Sequence, residues 1–348
     1  MNTPLFLALP DGNNYGWGVC GHYLRQELGR LTEVVHLADS QEVAGSFFTA
    51  LNGASLQQWF TAKGNPSIGY VFFEDELTEE SLKNAQQSDL ILAGSTWCVE
   101  RLKAKGISHV GLLLQGIDHE MFYPVEEELD TPSFNIFSGG KFELRKGQDL
   151  VLKAFAALQY KYPDMRLITC WQNQWVSSLA TMQASSHIRF ALHGQTWAEN
   201  LHMLCNMNGI DPARVQVCPL IPQHKMRALM KRTHLGVFPN RCEGGTNLVL
   251  MEYMACGRPA VVSYTSGHRD VVTEENALLL KQLTPFELKN QETVVSRWEE
   301  ASVDELIAAI EYAYHHRDAL KTISKKAGED MAVFTWEQMA KNILNFIK

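Results

Sequence analysis

Two glutamates flank a diglycine in residues 241–257, RCEGGTNLVLMEYMACG. Glu243 comes directly before Gly244 and Gly245, and Glu252 lies inside an apolar, helix-like run that ends at a glycine. The first amides of a helix have no intrahelical acceptor and attract anions. This segment therefore predicts a polyol near Glu243, a ribose near Glu252 and a diphosphate on the amides between them.

The apolar surroundings of Glu252 make it a candidate ligand-binding residue. Its neighbours are Leu248, Val249, Leu250, Met251 and Met254. A carboxylate among such residues is costly to bury unless it is hydrogen-bonded. We therefore expect Glu252 to be buried and to bond a ligand, and the alternative is a glutamate on the solvent face of the helix.

A cluster of cations lies in residues 139–147, GGKFELRKG, after the strand-like run FNIFS. Lys141, Arg145 and Lys146 stand beside glycines at a strand-to-helix turn, where the helix dipole adds positive potential. The spacing GxxxxGKS or GxxxxGKT of a P-loop is absent. The segment predicts a phosphate site, and the alternative is a loop of solvated charges.

The first glycine-rich turn, DGNNYGWGVCG, begins at Asp11 and spaces Gly16, Gly18 and Gly21 as GxGxxG. That spacing is typical of dinucleotide-binding turns, so Gly16 and Gly18 are candidate ligand contacts. A dinucleotide site also needs an acidic residue about 20 positions later, for which Asp39 is the candidate. The alternative is a tight turn that binds nothing.

Short apolar runs alternate with amphipathic stretches, which predicts βαβ units, parallel sheets and an α/β fold. The predicted strands are PLFLAL, EVVHLA, SIGYVFFE, DLILAG, HVGLLLQ, FNIFSGG, RLITCW, RVQVCPL, HLGVFPN, PAVVSY and ALLL. The acidic segment 123–132, bracketed by prolines, interrupts the series. We predict an N-terminal lobe over 1–128, a C-terminal lobe over 129–333 and a last helix over 334–348.

Charge is unevenly distributed along the chain: residues 1–128 carry a net charge of −10 and the remainder carries +2. The acidic first part disfavours nucleic acid and does not indicate peripheral contact with an anionic membrane. No apolar run is long enough to span a bilayer, and the first residues lack the basic region of a signal peptide. Seven cysteines stand singly, so we expect a cytoplasmic protein with reduced thiols and no bound metal.

These blocks resemble the group 1 glycosyltransferases, glycosyltransferase family 4. The resemblance is carried by GGKFELRKGQDLVLKAF, VFPNRCEGGTNLVLMEYMACGRPAVVS, SGHRDVV and FTWEQMA, and more thinly by YGWGVCG, SDLILAGSTWCVERLKAKG and GIDHEMFYP. It implies the GT-B architecture, in which two Rossmann-like lobes with parallel sheets face a central cleft and the last helix crosses back to the N-terminal lobe. It also implies a UDP- or GDP-linked sugar as co-substrate, with no bound cofactor.

The resemblance also assigns roles to individual residues. The family's basic pair on the diphosphate maps to Lys141 and Lys146, and its ribose-binding glutamate maps to Glu252. Its acidic residue on the donor sugar maps to Glu243. The diphosphate-binding amides map to the turn formed by Gly245, Thr246, Asn247 and Leu248. The loop around Leu220 is expected to contribute to base and sugar selectivity.

Three departures from the family pattern bear on these roles. Lys141 stands where the family usually has arginine, which removes a bidentate phosphate contact. Eight residues separate Glu243 from Glu252, where the family has seven. The N-lobe histidine of many members is replaced by the acidic run FEDE at 73–76, so Glu74 is a candidate substitute and a surface turn is the alternative.

The predicted function is metal-independent, retaining transfer of a hexose from a nucleoside diphosphate sugar to a hydroxyl of a glycan, a lipid-linked glycan or a small molecule. The candidate catalytic residues are Glu243, Lys146, Lys141 and Glu74. One alternative is a non-catalytic sugar-nucleotide-binding subunit of a glycan assembly complex. Another is an NAD-dependent oxidoreductase that uses Gly16 and Gly18. Sugar nucleotide epimerases and phosphorylases fit the EGGTN and FTWE segments less well.

Overall fold

The computed structural model describes residues 4–12, 15–37, 42–60, 62–124, 129 and 131–347. Within these ranges the chain forms two α/β lobes, each built on a parallel sheet of six described strands. The predicted α/β fold with two Rossmann-like lobes is confirmed.

The N-terminal lobe has the strand order β2-β1-β3-β4-β5-β6. Its elements are β1 (Leu5–Ala8), α1 (Gly16–Leu31), β2 (Val34–His36), β3 (Phe47–Ala50), β4 (Ser67–Val71), α2 (Ser81–Ala85), β5 (Leu90–Ala93), α3 (Thr96–Ala104) and β6 (Val110–Leu112). β3 and β4 are buried throughout, as expected of strands covered on both faces. β3 was not predicted, although its run FFTA pairs with β1 and β4.

The C-terminal lobe has the strand order β12-β11-β10-β7-β8-β9, and its six predicted strands are all present. Its first elements are β7 (Phe134–Lys141), α4 (Gln148–Leu158), β8 (Met165–Gln172), α5 (Val176–Ala180), α6 (Trp197–Met207), β9 (Val215–Val217), α7 (Gln223–Met230), β10 (Leu235–Phe238) and α8 (Leu248–Ala255). They are followed by β11 (Ala260–Ser263), β12 (Leu278–Leu280), β13 (Leu283–Asn290), β14 (Thr293–Ala301), α9 (Val303–His315), α10 (Arg317–Met331) and α11 (Trp336–Ile347).

β13 and β14 form an antiparallel hairpin that the sequence reasoning missed. The hairpin reaches the N-terminal lobe at the loop after β4. The backbone amide of Glu76 donates to Val295 O at 2.9 Å, and the indole of Trp298 donates to Glu74 O at 2.7 Å. The hairpin therefore holds the loop that carries Glu74 against the C-terminal lobe.

The last helix, α11, crosses back to the N-terminal lobe and packs on α1, as the resemblance implied. Trp336 stacks on Tyr23 of α1, with ring centroids 5.2 Å apart and planes 2° from parallel. Met339 and Ile343 are buried in the core of the N-terminal lobe. The C-terminal residues therefore complete the hydrophobic core of the first lobe.

Parts of two sequence predictions lie outside the described residues. Asp39, the candidate ribose ligand of a dinucleotide site, is one of them. Residues 125–128 and 130 of the predicted interdomain segment are the others. The boundaries at 128 and 333 remain predictions.

Candidate functional site

Two strand-to-helix turns of the C-terminal lobe meet at the carboxyl edge of its sheet. β7 and β10 pair directly, so residues 141–147 and 240–247, which follow them, lie side by side. Gly147 permits the contact: its φ is +70°, and a Cβ there would lie 2.2 Å from Pro239 O. The two segments singled out in the sequence therefore form one site.

Arg241 anchors the turn that follows β10. Its guanidinium is fully buried and pairs with Asp149 of α4 at 2.7 Å and with Glu300 of β14 at 2.6 Å. A buried charge with two hydrogen-bonded carboxylates is held in one geometry. Arg241 therefore acts as a structural anchor beside the site and does not face it.

Glu243 and Lys146 form a buried ion pair between the two turns. Lys146 Nζ lies 2.6 Å from Glu243 Oε1, and the guanidinium of Arg145 lies 3.1 Å from Glu243 Oε2. Burial alone would raise the pKa of Glu243, but Lys146 and Arg145 outweigh it and lower the pKa to about 2. Burial lowers the pKa of Lys146, and Glu243 opposes that shift. Glu243 is thus ionised at neutral pH and held by two cations.

Arg145 is the centre of the charge cluster, and sequence reasoning gave it no individual role. Besides Glu243, it lies 2.7 Å from Glu143 and 3.3 Å from Glu74 of the N-terminal lobe. It also donates to Cys242 O at 2.9 Å. The available signal was its place among the three cations of residues 139–147.

Lys141 lies at the margin of the cluster. Its ammonium pairs with Glu143 at 2.8 Å and stands 5.3 Å from the ring centre of Trp175. The Lys141 side chain is 32% exposed, against 12% for Lys146. Of the two lysines assigned to the diphosphate, the structure therefore places only Lys146 against Glu243.

The turn before α8 presents unpaired backbone amides. Asn247 caps the helix with φ at +64°, and its side chain accepts from Leu250 N at 3.5 Å. No described residue accepts a hydrogen bond from the amides of Gly245, Thr246 or Asn247. Free amides at a helix N-terminus beside Lys146 are the physical requirements of an anion site.

The diglycine is where the two lobes touch. A Cβ on Gly244 would lie 2.4 Å from Phe73 O. Ser95 Oγ donates to Gly244 O at 2.7 Å, and Gly244 N donates to Glu74 Oε1 at 3.3 Å. Glu74 therefore contacts the diglycine turn, and its catalytic role remains a prediction. Burial raises its pKa while Arg145 opposes that shift.

Glu252 is buried in α8, with 6% of its surface exposed. Gln223 of α7 donates to its carboxylate at 2.7 Å. Burial raises the pKa of Glu252 to about 8; the Gln223 hydrogen bond lowers it and the charge of Asp118 raises it further. The sequence prediction of a buried glutamate agrees with this position, and its ribose partner remains a prediction.

The other candidate residues lie in the first turn of the N-terminal lobe and in the loop after β9. Tyr15, next to Gly16, packs against Trp175 with ring centroids 6.3 Å apart, and Trp175 also lies against Lys141. Gly16 begins α1, and a Cβ on Gly18 would lie 2.7 Å from Gly12 O. A Cβ on Gly21 would lie 1.8 Å from Pro10 O, so Gly18 and Gly21 permit close packing, and the ligand contacts of Gly16 and Gly18 remain predictions. Leu220 is 57% exposed in the loop between β9 and α7.

In the described ranges, no group of three or more His, Cys, Asp or Glu side chains could hold a metal ion. The described helices include none with the length and apolar character needed to cross a bilayer.

Residues 133–291 match the family Glycosyl transferases group 1. A segment of 149 residues, 43% of this chain, is 24% identical to an uncharacterized glycosyltransferase of Bacillus subtilis, YqgM. The match covers 35% of that relative, so the chain spans about a third of its length.

Solved structures share the whole fold at low sequence identity. Sucrose-phosphate synthase of Thermosynechococcus elongatus is 15% identical, with a TM-score of 0.69 over 99% of this chain and 98% of that one. HepE of Anabaena in complex with UDP-glucose is 14% identical, with a TM-score of 0.67 over 98% of both chains. A glycosyltransferase of Rickettsia africae is 10% identical, with a TM-score of 0.69 over 100% of this chain and 98% of that one. The chain has the GT-B fold, and its residues 133–291 are similar to the group 1 glycosyltransferases.

Proposed function

We propose that the chain transfers a hexose from a nucleoside diphosphate sugar to an acceptor hydroxyl, with retention of anomeric configuration and without a metal ion. The observation that carries this proposal is the meeting, at one turn, of free amides at the start of α8 with the Lys146–Glu243 ion pair. The amides and Lys146 suit a diphosphate, and a carboxylate beside them suits the hydroxyls of a sugar.

The charges of the cluster balance before a donor binds. Three carboxylates face three cations: Glu74, Glu143 and Glu243 with Lys141, Arg145 and Lys146. A diphosphate that pairs with the Lys146 ammonium in place of Glu243 leaves Glu243 paired with Arg145, which lies 3.1 Å from it. Arg145 thus keeps Glu243 ionised when the donor arrives, and Glu243 can accept hydrogen bonds from sugar hydroxyls.

In the proposed reaction, the acceptor oxygen bonds to the anomeric carbon while the bond from that carbon to the diphosphate breaks. The leaving phosphate oxygen takes the acceptor's proton, so no protein base is required. Lys146 and the turn amides stabilise the charge that develops on the diphosphate; one such donor is worth about 2.7–4 kcal/mol in enzymes where it was measured.

Nucleotide recognition is proposed for the opposite end of α8. Glu252 would accept hydrogen bonds from ribose hydroxyls, in place of or beside Gln223, and the exposed loop around Leu220 would contact the base. HepE was crystallised with UDP-glucose, which supports a UDP-sugar as the first donor to test. All seven cysteines are free thiols, which supports a reducing, cytoplasmic location.

Thermal unfolding of the full chain with UDP-glucose, UDP-N-acetylglucosamine, GDP-mannose and NADH tests the proposal. A ligand at 100 times its Kd adds about 2.7 kcal/mol of stability. We expect stabilisation by one sugar nucleotide and slow hydrolysis of it that persists in EDTA. Stabilisation by NADH alone would support the oxidoreductase alternative. Binding without hydrolysis or transfer would support the non-catalytic subunit.

A further inference from the structure

Gln115 places a buried amide of the N-terminal lobe against the diglycine turn. The residue follows β6 and is 4% exposed. Its Oε1 would lie 2.8 Å from a Cβ on Gly245, so the close approach depends on that glycine. Its Nε2 is buried and has no hydrogen-bond partner among the described residues. Burial raises the pKa of the nearby Cys20 thiol to about 12, and a hydrogen bond from the Gln115 side chain opposes that shift. Sulfur is a weak acceptor, so this contact does not replace an oxygen partner for the amide.

Thr246 presents a second unpaired group from the opposite lobe. The residue is completely buried, and no described residue pairs with its Oγ1. Buried polar groups without partners are unfavourable and uncommon in folded proteins. Two of them, from different lobes, at one turn with free backbone amides indicate that a polar ligand supplies the missing partners.

We propose that Gln115 and Thr246 contact the donor directly, and this inference rests on the proposed function. Gln115 Nε2 donates to an oxygen of the diphosphate or of the sugar attached to it, and Thr246 Oγ1 bonds the same part of the molecule. The donor bound on the C-terminal turn is thereby held by a side chain of the N-terminal lobe. Donor affinity and lobe closure are then linked, because Gln115 reaches the donor only when the lobes meet.

The variants Gln115→Leu and Thr246→Val distinguish a ligand contact from a structural one. Thr246→Val removes a hydroxyl that has no described partner, and Gln115→Leu removes an amide whose contact with the Cys20 thiol is weak. The melting temperature should therefore stay unchanged or rise. Each also removes a hydrogen bond to the donor, so the Kd for UDP-glucose or GDP-mannose should rise about 10- to 100-fold, the range for bonds to charged groups. kcat/KM should fall by a similar factor.

Gln159 offers a matched control in the C-terminal lobe. It is fully buried like Gln115, but its amide donates to Gly209 O at 2.8 Å and accepts from Asp211 N at 2.9 Å. Gln159→Leu should lower the melting temperature and leave the donor Kd within twofold of the wild-type value. Gln115→Leu should thus weaken donor binding without loss of stability, whereas Gln159→Leu should lower stability without weakening donor binding.

Calorimetric Kd values for UDP-glucose and GDP-mannose and melting temperatures of the four full-length proteins test the proposal. Weaker donor binding in Gln115→Leu and Thr246→Val, without loss of stability, supports it. Wild-type affinity in both variants, or a lowered melting temperature with unchanged affinity, overturns it while the proposed function stands. If the wild-type chain binds neither sugar nucleotide, the proposed function and this inference both fail.

Discussion

Each lobe has a glycine-rich turn between a strand and a helix, and the two turns differ in what their glycines contact. In the turn between β1 and α1, Gly18 and Gly21 are packed so closely against Gly12 and Pro10 that a Cβ would clash with their carbonyl oxygens. In the turn between β10 and α8, the amides of residues 245–247 have no described acceptor, and a lysine stands beside them.

The two turns also differ in the charge beside them. In the first turn Gly18 and Gly21 pack against backbone, whereas nothing lies within 4 Å of a Cβ on Gly16. The nearby charge is the acidic Asp11, paired with His22 at 3.4 Å. The second turn lacks that spacing but combines free donors with positive charge. Free amides and a cation are the requirements of phosphate binding, and glycine is a means of exposing them.

The largest expected effect is on turnover in Lys146→Met. The variant removes a cation from the diphosphate site, so kcat/KM for donor hydrolysis or transfer should fall about 100- to 1,000-fold. Lys161→Met is the control, since Lys161 is an exposed lysine paired with Glu311 elsewhere on the C-terminal lobe. Turnover should be measured for both variants at saturating acceptor. Equal activity of the two variants would contradict a role of Lys146 in the reaction.

Glu252→Gln should weaken nucleotide binding by about 1.5–3 kcal/mol above pH 8, where Glu252 is ionised, and leave the fold intact. The free proteins should also differ in their pH dependence. With its pKa raised to about 8, Glu252 keeps a proton in the folded state that the unfolded chain loses near pH 4.5. Its contribution therefore makes the wild-type free energy of unfolding fall as pH rises from about 4.5 to 8, and Glu252→Gln should remove that decline. Urea unfolding across this range measures the effect.

Glu243→Ala is the contrasting variant for Glu252→Gln. It should reduce transfer but cause no loss of affinity for a free nucleoside diphosphate, which has no sugar for Glu243 to contact and still meets Lys146. The contribution of Glu243 to the wild-type free energy of unfolding depends on pH in the opposite sense to that of Glu252. Because the pKa of Glu243 is lowered to about 2, this contribution is present above about pH 4.5 and is lost as pH falls toward 2. Equal loss of diphosphate affinity in both glutamate variants would contradict the separate roles.

Gly21→Ala tests the packing role of the first turn. Its Cβ would lie 1.8 Å from Pro10 O, so we expect a loss of about 1–3 kcal/mol in stability. The Kd for UDP should not change in the folded protein. Gly29→Ala in the same helix is the control; nothing lies within 4 Å of its Cβ, and it should stabilise α1 by about 0.5–1 kcal/mol. A tenfold weaker Kd in Gly21→Ala alone would assign a ligand to the first turn.

The smallest effect is expected for Lys141→Ala. The side chain is 32% exposed and pairs with Glu143, so its contribution to diphosphate binding is screened by solvent. The Kd for a nucleoside diphosphate should rise no more than about fivefold, against more than tenfold for Lys146→Met. Calorimetry on the two variants gives the ratio, and a larger loss in Lys141→Ala would reverse the order of the two lysines.

The fold was largely predictable because each buried strand is a short apolar run between turn residues. The exceptions have physical causes. β3 is four residues long and was absorbed into the irregular stretch between β2 and β4. The hairpin has no buried residue in β13 and only three in β14, and it carries many charges, so it lacks the apolar run that marked the other strands.

Residue types at the site were predictable, but their partners were not. The apolar neighbours of Glu252 indicated its burial, and the cations of residues 139–147 indicated a charged turn. The central position of Arg145 depends on Glu74, about 70 residues away in the other lobe, and on the hairpin that holds Glu74 in place. Spacing within one segment carries no information about such contacts.

The most direct test of the central claim, that the donor diphosphate binds at the turn before α8, is the calorimetric Kd for UDP and GDP. Wild type, Lys146→Met and Lys161→Met should be titrated as full-length proteins at one ionic strength. The expected result is a Kd at least tenfold higher in Lys146→Met for whichever nucleotide the wild type binds, with Lys161→Met unchanged. A Kd in Lys146→Met within twofold of the wild-type value would contradict the claim.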